Sequence, residues 1–110
     1  MSFEAVKSDV PELLTWFQDV NWPVTKGIAE FLIPHLNEVT NDLIEILNSD
    51  DDPWKWGILV VLIENTQKKI APELLSVIKS IVINPTESEK DNDVDIASKR
   101  IVELNNSNNL

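Results

Sequence analysis

Cysteine is absent from this 110-residue chain, histidine occurs once and glycine twice. Without cysteine there can be no disulfide, no thiolate nucleophile and no cysteine-held zinc or iron–sulfur cluster. A single imidazole, His35, excludes a two-histidine mechanism or a histidine-rich metal site within one chain. Two glycines cannot supply a phosphate-cradling loop of the GxGxxG kind. Positive charge is scarce too: 9 Lys and Arg stand against 19 Asp and Glu, a net charge of −10. Phosphate backbones are held by cations that displace counterions, so no nucleic acid is expected as a partner. The same charge argues against an anionic membrane surface. The longest apolar run, residues 57–63, is far too short to span a bilayer, and the start lacks a basic segment leading into an apolar one. A soluble, cytoplasmic protein is expected.

What is present is a chain that is 43% hydrophobic, enough for a packed core without metal or disulfide support. One domain over residues 1–104 is predicted, followed by a disordered Asn-rich tail at 105–110. The charge is uneven. Residues 1–52 hold 11 acids and 2 bases, residues 53–86 hold 2 and 4, and residues 87–110 hold 6 and 3. Such a gradient steers a basic partner toward the first half, although an acidic surface also serves solubility alone.

Internal repetition governs the fold reading. Pro11-Glu12-Leu13-Leu14 returns as Pro72-Glu73-Leu74-Leu75, and Asn41-Asp42-Leu43-Ile44-Glu45-Ile46-Leu47 lies near the midpoint. Apolar residues in all three fall at helical spacing. Asp9 with Glu12 makes a capping-box pattern, and Pro11 and Pro72 suit a first helical turn. Behind each of the first two segments an acid and a tryptophan recur, Asp19 with Trp22 and Asp51 with Trp54, each leading into an apolar stretch. A third such helix is predicted from about Asp93 to Leu104. Residues 58–63 could pass for a buried strand, but no partner strand is on offer, so a central buried helix is expected. The result is an all-α fold: antiparallel helix pairs stacked into a short right-handed solenoid of five to six helices.

The string Asp19-x-x-Trp22-Pro23-Val24-x-Lys26-x-x-Ala29-x-x-Leu32 resembles the first helix of a HEAT repeat. With Pro-Glu-Leu-Leu-x-Trp from Pro11, Asp-Asp-x-Trp-Lys from Asp51 and Asn-Pro-Thr-x-x-Glu-Lys from Asn84, the chain is similar to a family of small bacterial HEAT-like proteins of uncharacterised function. The resemblance covers about residues 10–104 and implies the fold, with no activity attached. Residues 1–8 leave room for only part of a first helix, so the N-terminal face is expected to be less well capped or covered by a partner.

Five residue groups are candidates for function. Trp22 and Trp54 stand at matching points of neighbouring repeats and could form an aromatic platform, or simply wedge the repeats together. Trp56 is expected in the core. Asp50, Asp51 and Asp52 could hold a cation or a partner's base, or cap the helix beginning near Pro53. Asp91-x-Asp93-x-Asp95 imitates a calcium loop, but Ile96 and Val102 stand where glycine and glutamate are required. His35 follows Pro34 in a loop with no nucleophile beside it, and Glu30, Asp42 and Glu64 have no deep cleft to work in. No enzyme, metal or cofactor is expected. The reading is a protein-binding module whose site comprises Trp22, Asp50, Asp51, Asp52 and Trp54, rimmed by Lys26 and Lys55. Its partner is another protein, in the concrete version a basic one neutralised as an immunity protein neutralises a toxin. Monomer or weak homodimer is the expected state. The alternatives are a self-assembling structural protein using an uncapped solenoid end, and a divalent-metal-dependent enzyme using the Asp clusters.

Overall fold

A computed structural model of the chain describes residues 3–19, 23–66 and 69–107, and every regular element among them is helical. The elements are α1 (Phe3–Val6), α2 (Val10–Leu14), α3 (Pro23–Leu32), α4 (Thr40–Leu47), α5 (Asp52–Gly57), α6 (Pro72–Ile83), α7 (Glu87–Asp91) and α8 (Val94–Ser107). A short 3-10 turn at Lys7–Asp9 joins α1 to α2, a second at Thr15–Gln18 extends that helical run, and α5 continues through residue 65. Counted as continuous runs, about six helices result. The radius of gyration is 13.2 Å, the value a compact domain of this length has. Among the described residues no helix is long and apolar enough to cross a membrane.

The prolines mark helix starts for a physical reason: a fixed φ and a missing N–H cost nothing in a first turn. Pro23 opens α3, Pro72 opens α6, and Pro53 sits in the first turn of α5. Pro34 lies in the 3-10 segment Ile33–Val39 that ends α3, where His35 breaks from helical geometry at φ −111° and ψ 19°. The Asp9–Glu12 capping box does not form. Asp9 already has helical backbone (φ −94°, ψ −1°) within the run entering α2, so its side chain is not placed as a cap.

Helical spacing selects the core. Leu43, Ile46 and Leu47 of α4, Leu74, Ile78 and Ile81 of α6, and Val94, Ala97 and Ile101 of α8 are all buried. Residues 58–63 are helical, widened to π geometry over Ile58–Leu62, with Ile58, Leu59, Leu62 and Ile63 buried. Each such side chain contributes roughly 1.5–3 kcal/mol by leaving water. Val60 and Val61 of the same stretch are half-buried against this core. Neighbours alternate along the chain: α4 packs on α6, while the run from α5 through residue 65 packs on α3 and α8. α6 and α8 close one end against each other.

Two features differ from the sequence reading. The last helix runs on to Ser107, with Asn105 buried, so residues 105–107 belong to α8 and not to a tail. The helix α7 was not expected. Its start is a complete capping box: Glu89 N–H donates to Thr86 Oγ1 at 3.0 Å, and Thr86 N–H donates to Glu89 Oε1 at 2.8 Å. Asp93, with φ 60°, then turns the chain from α7 into α8.

Candidate functional site: the acidic turn between α4 and α5

Three consecutive aspartates follow α4, and the backbone sends each in a different direction. α4 ends as Ser49 N–H donates to Ile46 O (3.0 Å) and Ser49 Oγ donates to the same carbonyl (2.6 Å). Asp50, next in line, is exposed and has no partner among the described residues. Asp51 is the N-cap of α5: its Oδ1 accepts from Trp54 N–H at 3.1 Å, and its Oδ2 accepts from Gln18 Nε2 at 3.5 Å. Asp52 points inward and is 4% exposed.

Asp52 is buried because α7 returns over the start of α5. Lys55, one turn on and 5% exposed, lies 2.9 Å from Asp52 Oδ1 and donates to Glu89 Oε2 at 3.2 Å. Ser88 Oγ donates to the other Asp52 oxygen. Burial alone would raise the Asp52 pKa, but the Ser88 hydroxyl and the Lys55 ammonium outweigh it and hold the carboxyl below the usual range. Burial would likewise lower the Lys55 pKa, and the two carboxylates outweigh that and push it upward. One lysine thus bridges α5 to α7, with two carboxylates around it.

Lys55 and Asp52 were expected on an exposed face and are not there; both are interior, tied to each other and to Glu89. The sequence contained a signal for this, Thr86-x-x-Glu89, the capping box of the helix that brings Glu89 to Lys55 over the start of α5. Trp54 is half-buried, and its indole N–H donates to Leu14 O at 2.8 Å, fastening α5 to α2. Trp56 is half-buried against the core, and Trp16 is 40% exposed. Lys26 is exposed on α3 and lines neither hollow described below. Trp22 lies outside the described residues.

Two hollows flank the turn and share Ser49. One, of about 230 Å³, lies over Pro11, Leu14, Ile46 and Trp54 with Asp42 and Glu45 at its rim. The other, of about 310 Å³, has Leu47, Val77 and Ile81 as its apolar wall, Lys55 and Glu89 at depth and Asp50 beside them. Asp42 and Glu45, three residues apart on α4, make no ion pair among the described residues. Among those residues no three His, Asp or Glu side chains gather as a metal would require, and the aspartates of the turn diverge. His35 is half-buried, stacked on Phe3 at a centroid distance of 4.5 Å, with Glu38 Oε2 2.8 Å from its Nδ1.

Comparison with known proteins adds one finding. A family model described as a domain of unknown function, DUF5071, matches residues 1–102. The chain belongs to that family. No curated protein and no solved structure matches it. A domain of this family therefore spans nearly the whole chain, taking in the acidic turn, the Lys55 bridge and both hollows.

Proposed function

We propose that this DUF5071 protein is a non-catalytic binding module, a short HEAT-like stack of helix pairs that captures a basic protein through its acidic first half. The observation that carries the reading is charge placement. Residues 1–52 hold 11 acids against 2 bases, and Asp42, Glu45 and Asp50, unpaired among the described residues, stand around two hollows beside one turn. The packing of α4 on α6, and of the α5 run on both α3 and α8, supports the two-layered stack. Acidic rims around apolar floors suit fast, electrostatically steered capture, the property an immunity-type protein needs against a basic toxin.

The test is affinity capture from a lysate of the source organism at two salt concentrations. Wild type is compared with the triple variant Asp42→Asn, Glu45→Gln, Asp50→Asn. A basic protein retained by wild type, released as salt rises and lost by the triple variant supports the reading. Equal capture by both proteins, or capture indifferent to salt, removes the acidic face from the account.

A further inference from the structure

We infer that the hollow between α2, α4 and Trp54 is the receptor for a single arginine side chain of the partner, an inference that rests on the basic-partner reading above. Three properties of the hollow converge on that chemistry. Its floor, including Leu14 and Ile46, is apolar and fits an aliphatic stem. Its rim holds Asp42 and Glu45, and no cation among the described residues lines it. Neither carboxylate is engaged within the described part of the chain, so both are free to accept from an incoming guanidinium.

The third property is Trp54. Its indole is already fixed, because the N–H is committed to the Leu14 carbonyl at 2.8 Å. An aromatic ring held in place before binding loses little entropy when a cation docks beside it. A guanidinium is preferred to an ammonium here because it is planar, weakly hydrated and forked, able to meet a carboxylate with two N–H groups while stacking on a ring. The second hollow is less suited: Lys55 at its depth opposes an incoming cation.

The probe is Nα-acetyl-arginine N-methylamide, titrated into the full chain labelled with ¹⁵N, with the citrulline analogue as a neutral isostere. Saturable shifts are expected at the Trp54 indole N–H and at the Glu45 and Ser49 amides, with none from citrulline. The Asp42→Asn/Glu45→Gln variant, in which no core or capping contact is touched, should bind roughly five- to tenfold more weakly. Shifts that scatter without saturating, equal binding of citrulline, or an unaffected variant would each overturn the inference. A decalysine peptide separates this failure from failure of the wider reading. If it binds in a salt-dependent way while the arginine probe ignores the hollow, the acidic face stands and the arginine site falls. If the probe fills the hollow but the Asp42→Asn/Glu45→Gln variant still captures every protein that wild type does, the hollow stands and the partner reading falls.

Discussion

Replacing Lys55 with methionine removes the cation held between Asp52 and Glu89, at 2.9 and 3.2 Å, while keeping most of the side-chain volume. The Lys55 side chain is 7% exposed and its two partners 5% and 7%, so water reaches the site poorly. Breaking a buried pair from one side leaves charge uncompensated and costs about 3–5 kcal/mol. Methionine recovers some packing, so about 3 kcal/mol is expected here. For a domain of this length that lowers Tm on the order of 12–15 °C. Urea unfolding followed by tryptophan fluorescence would show the midpoint falling with the slope unchanged. Adding Glu89→Gln, which keeps a capping-box residue, removes one of the stranded charges; the double variant should lose less than the sum of the two singles.

The pH dependence gives a second arm. Asp52 is held below its ordinary value of 3.8, so its contribution is present above that pH and is lost as pH falls through the lower folded value. Lys55 is raised above 10.5, so its contribution is present below that pH and is lost as pH climbs through the higher folded value. Wild type should therefore weaken below about pH 4 and above about pH 10.5. In Lys55→Met the buried Asp52 carboxylate loses its cation and gains from protonation, so the deficit against wild type should shrink near pH 4. A Lys55→Met protein within about 1 kcal/mol of wild type at pH 7 would refute the bridge as a structural element.

Smaller effects follow from the same geometry. Asp51→Ala removes the cap on Trp54 N–H and should cost about 1 kcal/mol in urea unfolding. Trp54→Phe leaves the Leu14 carbonyl without its indole donor; about 1 kcal/mol should be lost, and hydrogen exchange in α2 should quicken. Gly27→Ala, in an exposed stretch of α3 where a new Cβ meets nothing within 4 Å, should raise stability by roughly 0.5–1 kcal/mol. Ser98→Ala should raise Tm as well, since the Ser98 hydroxyl is wholly buried without a hydrogen-bond partner among the described residues, a burden of about 1 kcal/mol.

Periodicity made the helices legible: Leu43, Ile46 and Leu47, or Leu74, Ile78 and Ile81, lie on one face of any α-helix whatever surrounds it. Proline did the same for the start of α6, because its constraint is local. The buried character of residues 58–63 was equally plain, since apolar side chains on nearly every side leave no face for water. The acidic excess of the first half is a matter of composition, and with it the expectation of a basic partner.

The candidate site was legible only in part. Asp50, Asp51 and Asp52 look alike in sequence, yet one faces solvent, one caps α5 and one is buried. Lys55 read as a surface cation and Glu89 only as part of the string from Asn84, because the contact joining them spans 34 residues. Asp42 read only as a catalytic carboxylate and Glu45 as no candidate at all; α2 and Trp54 supplied the floor that makes the two a pair. Sequence determined which residues form helices and which faces turn inward, because those are short-range properties of the backbone and of water. Tertiary structure alone decided which charges are buried and paired and which remain free. That depends on where α7 and α2 come to rest, and no local pattern encodes it.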